Sequence, residues 1–138
     1  MPNNNKTYLV TGGSGFIGLR LCNAIQLSGV NLHLILRKKN KLIACSQFIS
    51  DLDCGMIDNQ AFLGVDTIFH LVGYAHDLSS DQEINKYNEI NIDLTMKIAN
   101  MAIENKVKNF VFVSSVKAGG SVIHGRYVNE DDQSEPKG

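Results

Sequence analysis

Short apolar runs alternate along this chain with longer stretches in which apolar residues recur at spacings of three and four. Thr7 to Thr11 (TYLVT) combines β-branched, aromatic and aliphatic side chains without polar alternation, the pattern of a strand buried on both faces. Phe16, Ile17, Leu19, Leu21, Cys22, Ala24, Ile25 and Leu27 then follow a helical spacing that stops at Gly29. Asn31 to Leu36 (NLHLIL) alternates and predicts a second strand, followed by the basic stretch RKKNK. The pattern weakens afterwards; Gln47 to Leu52 (QFISDL) is the best candidate for a third strand, with a short helix over 58–63. Val65 to Val72 (VDTIFHLV) predicts a fourth buried strand. From Asp81 to Asn105, Ile84, Tyr87, Ile90, Asn91, Leu94, Ile98, Met101 and Ala102 mark one face of a single long helix. Val107 to Ser114 (VKNFVFVS) predicts a fifth strand, and the polar stretch 124–138, which lacks any apolar period, reads as loop or disorder.

Strands that alternate with helices pair in parallel through right-handed crossovers. The expected fold class is therefore α/β, a doubly wound parallel sheet of five strands in the order 3-2-1-4-5. In such a sheet ligands bind outside the carboxyl ends of the strands where the strand order reverses, here the end of the first strand. TGGSGFIG, residues 11–18, occupies that point. Gly12 would permit a tight turn, Gly15 would let a pyrophosphate approach the backbone, and Gly18 would let the helix pack on the strand; a frame beginning at Gly13 fits the spacing equally. The first amides of the helix, at Phe16 and Ile17, would then point at phosphate with the positive end of the helix dipole behind them. The pattern lies between a predicted strand and a predicted helix, so it predicts dinucleotide binding.

Composition narrows the partners. A chain of 138 residues with 43% hydrophobic content can bury the core of one globular domain. A net charge of -1 provides no global field for nucleic acid or an anionic membrane, so phosphate recognition must be local. No window approaches the roughly 18 apolar residues of a membrane span, and the N-terminus lacks a charged segment leading into an apolar one, so a cytoplasmic location is expected. Cys22, Cys45 and Cys54 have no metal-ligand spacing and are expected as free thiols, with no metal site. His70 lies inside a buried strand and is expected to be a hydrogen-bonded structural residue. Arg37 ends the second strand, where an acidic residue would read the ribose hydroxyls of NAD and an arginine a 2′-phosphate. An exposed, solvated RKKNK loop is the other reading, so NAD and NADP both stay open.

Five segments, in order, resemble the extended short-chain dehydrogenase/reductase family, the group that includes nucleotide-sugar epimerases and dehydratases. TGGSGFIG resembles its TGxxGxxG signature, which selects the frame Gly12, Gly15, Gly18. SDL at 50–52 resembles the motif after strand three and implies that Asp51 and Leu52 meet the adenine ring. DTIFHLVGYAH resembles DxVxHLAAxxH and implies that Leu71, Val72 and Gly73 line the cofactor. YNEINIDLT resembles YxxxNxxGT and implies that Asn91 faces the cofactor side of the sheet. FVFVSSVKAGG resembles FVFxSSxKVxG, closest to bacterial epimerases of UDP-sugars, and implies Ser115 as the catalytic serine that holds the reacting hydroxyl, with Ser114 as the alternative.

The resemblance implies a Rossmann domain that uses NAD or NADP for hydride transfer at C4 of a nucleotide sugar. A homodimer is the assembly it suggests, with neither nucleic acid nor membrane as a partner. In the family a tyrosine base and its lysine follow the serine as YxxxK. None of Tyr8, Tyr74, Tyr87 and Tyr127 is followed by a lysine at that spacing. Residues 1–138 are therefore expected to be the N-terminal part of the NAD(P)-binding domain, without the general base or the C-terminal substrate-binding region and inactive alone; a stand-alone, non-catalytic NAD(P)-binding or sensing module is the alternative.

Overall fold

Strand β1 (Thr7–Thr11) takes the central position because its side chains suit burial on both faces: Leu9 and Val10, which point to opposite sides, are both fully buried. The structure, a computed structural model, describes residues 6–51, 56–75 and 80–115. On one side β1 pairs in parallel with β2 (Asn31–Leu36), from Thr7 opposite Asn31 to Thr11 opposite Ile35. On the other it pairs with β4 (Thr67–His70), from Tyr8 opposite Thr67 to Thr11 opposite His70. β3 (Ser46–Ile49) adds outside β2 and β5 (Asn109–Phe112) outside β4, giving the order β3-β2-β1-β4-β5. This is the doubly wound parallel sheet expected from the alternation of strand and helix patterns.

Apolar side chains from alternate sheet positions build two cores. Leu9, Ile35 and Ile68 join Ala61, Phe62 and the buried row Ile90, Leu94, Ile98 and Ala102 on one face. Val10, Leu32, Leu34 and Leu36 meet Cys22 and Ile25 of α1 (Phe16–Leu27) on the other. Cys22 and Cys45 are free thiols, as expected, and Cys54 lies outside the described residues.

Element boundaries differ from the sequence expectation for identifiable reasons. The third strand ends at Ile49, because Ser50 turns inward and its hydroxyl donates to the Met56 carbonyl. The fourth runs over Thr67–His70 rather than 65–72. Val65 closes the preceding turn by donating to Phe62 O, and beyond Leu71 the neighbouring β1 has already turned away at Gly12. The fifth strand is likewise shorter than 107–114, because Val107 N is used to close the helix on Ala102 O and Lys106 adopts a left-handed φ of 58°. The expected helix over 58–63 is a single 3₁₀ turn, Asn59–Phe62, capped by the Asp58 carboxylate, which accepts from Gln60 N.

The long helix expected over 81–105 is present in three parts: α2 (Asp81–Asn88), a π-helical segment (Glu89–Leu94) and α3 (Thr95–Glu104). Its buried residues Ile90, Leu94, Ile98 and Ala102 repeat every four positions. An α-helix turns about 100° per residue, so such a row drifts about 40° per repeat and would leave the sheet. The wider π turn absorbs part of that drift, keeping Ile90 and Ile98 against the same sheet face while the chain passes Asn91.

Phe62 is completely buried and Ile103 is 75% exposed. Phe62→Ala is expected to cost about 3–5 kcal/mol and Ile103→Ala about 0.5 kcal/mol or less, as read by urea denaturation with circular dichroism.

Candidate functional site

The turn between β1 and α1 is built from backbone. Gly12 has φ of 73°, and a Cβ there would stand 3.0 Å from both the Leu71 carbonyl carbon and Val72 N, so a side chain is excluded by conformation and by space. Gly18, on the first turn of α1, packs so closely on the turn that a Cβ would clash with Gly12 O and lie 2.7 Å from Gly13 Cα. Gly15 differs. Among the described residues, an added Cβ would meet only Gly12 O, at 3.3 Å, so none of them fills the space in front of Gly15.

Gly15 is also the N-cap of α1. No side chain caps that helix and its first turn contains no acidic residue. The positive end of α1 thus has no counter-charge from its own cap or first turn. Phe16 and Ile17 are exposed, and the Phe16 ring is stacked under the Arg20 guanidinium, 3.9 Å from the ring centroid. What these two residues present to the turn is their backbone.

In front of the turn lies a cleft of about 440 Å³, lined by Gly12, Ser14, Gly15, Ile35, Leu36, Arg37, Leu71, Val72, Gly73, Tyr74, Lys86 and Ile90. It opens at the carboxyl ends of β1, β2 and β4, where the strand order reverses. A second concavity of similar size, about 460 Å³, lies at the opposite end of the sheet among Thr7, Gln26, Asn31 and Ser46, remote from the helix N-terminus.

The far wall of the cleft is the loop leaving β4, which is held by Asn91. The Asn91 Oδ1 accepts from Tyr74 N at 2.7 Å and its Nδ2 donates to Tyr74 O at 2.9 Å, so one amide side chain satisfies both polar groups of one backbone residue. Asn91 lies in the π segment, and its Oδ1 would be 3.6 Å from a Cβ on Gly73. Beneath the loop, His70 is fully buried at the end of β4. Its Nδ1 is 2.8 Å from Thr11 Oγ1 and its Nε2 is 3.0 Å from Thr95 Oγ1, so a neutral imidazole donates to one hydroxyl and accepts from the other. Phe110 and Phe112 lie alongside the ring, and burial pushes the His70 pKa down to about 4. This is the structural, hydrogen-bonded role expected of it. It ties the last residue of β1 to β4 and to the first residue of α3.

Of the residues singled out in the sequence, Gly12, Gly15, Arg37, Leu71, Val72 and Gly73 meet around this one cleft. Gly18 packs behind it and Asn91 braces its wall. Asp51 is exposed just past β3 and does not line the cleft; Leu52 lies outside the described residues, as does the segment 124–138. Ser115 is exposed beyond the carboxyl end of β5, at the same end of the sheet. Sequence reasoning missed Ser14, Tyr74 and Lys86 as lining residues. Tyr74 had a signal, being adjacent to the strand-four motif, whereas the approach of Lys86 depends on how α2 crosses the sheet.

The profile of the NAD dependent epimerase/dehydratase family matches residues 8–137. Among curated proteins, short-chain dehydrogenase/reductase family 42E member 1 of Bos taurus is 30% identical over 138 residues, covering 95% of this chain and 34% of that protein. UDP-glucose 4-epimerase of Vibrio cholerae is 26% identical over 119 residues, covering 83% of this chain and 36% of that protein. Among solved structures, MoeE5 in complex with UDP-glucose and NAD superposes with a TM-score of 0.81 at 24% identity, over 94% of this chain and 42% of that one. A short-chain dehydrogenase/reductase superfamily protein from Agrobacterium tumefaciens with bound NAD gives 0.82 at 21% identity, over 96% and 40%. The chain spans about a third of the length of the curated relatives it matches.

The buried His70 generates a pH-dependent term. Its folded pKa, about 4, lies below the ordinary value of 6.5, so its contribution is complete above about pH 6.5. As the pH falls towards 4 the unfolded chain takes up a proton that the folded one refuses, and stability drops by up to roughly 3 kcal/mol before levelling off. Urea midpoints compared between the unaltered chain and His70→Asn from pH 7 to pH 4 should isolate this slope, which the variant should lack.

Proposed function

The chain belongs to the NAD dependent epimerase/dehydratase family, and on that premise we propose that it is the dinucleotide-binding part of a nucleotide-sugar epimerase or dehydratase. The observation that bears most of this reading is the open space at Gly15, beside an α1 terminus with neither cap nor acidic residue. A diphosphate fits there, since backbone amides and the helix dipole favour an anion and no side chain blocks its approach. Arg37, on the β2 wall, adds positive charge, and the apolar residues Ile35, Leu36, Leu71 and Val72 suit a nucleoside's ring faces.

When bound, the nicotinamide ring supplies the acceptor and donor of a hydride. The residues of this chain bind and orient. Backbone amides at Phe16 and Ile17 hold the diphosphate in the open space at Gly15, whose own N–H donates to Gly12 O at 3.0 Å. Leu71, Val72 and Gly73 form the wall along which the cofactor lies, and Asn91 keeps that wall in register by clamping Tyr74. The adenine end is assigned to Asp51 and Leu52 by the resemblance alone, since Asp51 does not line the cleft and Leu52 lies outside the described residues. Ser115, at the carboxyl end of the sheet, holds a substrate hydroxyl oxygen by hydrogen bond. The relatives that contain NAD favour that cofactor, and Arg37 extends the reading to NADP through a charge-assisted contact with a 2′-phosphate. A UDP-sugar is the proposed substrate class. The sequence contains no YxxxK, so turnover of the sugar is assigned to the family's longer architecture and not to these residues alone.

Isothermal titration with NAD⁺ tests the reading. The unaltered chain should bind, and Gly15→Val, with an unchanged far-ultraviolet spectrum, should lose affinity by about a hundredfold or more; equal binding by that variant would overturn it. Arg37→Asp should weaken NADP⁺ by about tenfold or more while leaving NAD⁺ within about twofold, measured in parallel titrations; an equal effect on both cofactors would remove the 2′-phosphate assignment.

A further inference from the structure

The basic stretch that follows β2 is held at both ends. At its start, Leu36 is buried as the last residue of β2, and its carbonyl accepts from Ser50 N at 2.9 Å. At its other end, the side chain of Gln47, on β3, closes on Asn40. Its Oε1 accepts from Asn40 N at 2.8 Å and its Nε2 donates to Asn40 O at 2.7 Å. The same Nε2 donates to Ile43 O, also at 2.7 Å, and the Ile43 side chain is buried in the core beneath α1. Asn40 adds a local turn, its Oδ1 accepting from Leu42 N at 2.9 Å.

Between these two fixed points lie Arg37, Lys38 and Lys39, all exposed, and Arg37 lines the cleft. A free loop carrying three long cationic side chains would lose backbone as well as rotamer freedom on gripping a ligand. Here the backbone is ordered beforehand, so an anion arriving at the rim of the cleft has only side chains left to order. The device matches the one on the opposite wall, where Asn91 takes both polar groups of Tyr74. Each wall thus has a carboxamide fastened to both polar groups of one loop residue, and on the β2 side the loop so fastened carries the cations.

We propose that Gln47 is a positioning residue for the recognition of a phosphate monoester on the adenosine ribose. By fixing Asn40 it fixes the backbone path of residues 37–39, so that the Arg37 guanidinium meets the 2′-phosphate of NADP without an ordering cost in the loop. This rests on the assignment of Arg37 to the 2′-phosphate made above. Gln47 acts through the loop and not on the cofactor itself. Its effect is selective, because NAD carries a hydroxyl where the paired donors of a guanidinium are matched by phosphate oxygens.

Parallel titrations of the full chain with NADP⁺ and NAD⁺ test this, using Gln47→Met, which keeps the length of the side chain and removes its hydrogen bonds. NADP⁺ affinity should fall about fivefold and NAD⁺ affinity should stay within about twofold. In an Arg37→Asp background the same substitution should change NADP⁺ affinity by less than about twofold, because a residue that acts through Arg37 then has nothing left to position. Asn40→Ala, which removes only the acceptor of Leu42 N, should weaken NADP⁺ about threefold with the same selectivity, and it carries the test if Gln47→Met does not fold. Unchanged NADP⁺ affinity, an equal loss for both cofactors in a folded variant, or a loss that persists in the Arg37→Asp background overturns the proposal while the assignment of Arg37 stands. Failure of the unaltered chain to bind NADP⁺, or NADP⁺ binding insensitive to Arg37→Asp alone, overturns both.

Discussion

Three pieces of backbone converge between β1 and α1 in a space that admits no side chain, and the site depends on that convergence. Gly12 meets the backbone of Leu71 and Val72, Gly18 meets Gly12 and Gly13, and between them Gly15 faces open space. The first two contacts draw β1, α1 and the end of β4 together. The third leaves the amino end of a helix unobstructed at the mouth of the sheet. Close packing at two glycines is thus the condition for openness at the third.

The opposite wall is held by polar contacts rather than by close packing of backbone. Asn91 satisfies both polar groups of Tyr74, and His70 joins Thr11 to Thr95 from inside the sheet. The first uses the π segment of the long helix, which offsets the helical phase enough for Asn91 to reach the loop while Ile90, Leu94 and Ile98 remain in the core, and the second uses Thr95, where α3 begins. Each buried nitrogen of the imidazole has a partner, and no buried side-chain nitrogen or oxygen among the described residues lacks one. A fully satisfied polar network in a dry core defines a single geometry, because any rearrangement would leave a buried group unpaired.

Family membership and geometry bear on different questions. The match to residues 8–137 and the superpositions at TM-scores of 0.81 and 0.82 establish the lineage and the Rossmann-like sheet. The open turn and the residues that line the cleft concern what this chain's own cleft accepts. Ser115 lies at the same end of the sheet as that cleft.

The sequence alone determined the order of elements, the parallel topology and the glycine turn, because these follow from local periodicity and from residues with distinctive backbone chemistry. TYLVT, NLHLIL and the spacing in FIGLRLCNAIQL encode what each segment must bury, and right-handed crossovers then narrow the sheet to a few doubly wound orders, of which 3-2-1-4-5 is the one found. It also marked Gly12, Gly15, Arg37 and Leu71 to Gly73, all of which reach the same cleft. Tertiary structure decided the rest. Strands β4 and β5 are shorter than their apolar runs because pairing stops where the neighbouring strand or helix end stops. The π segment arises because a row repeating every four residues must stay on a flat sheet, a condition no local pattern contains. Lys86 and the partners of His70 were invisible in one dimension for the same reason: they come together from elements separated along the chain, through the crossing of α2 and α3 over β4.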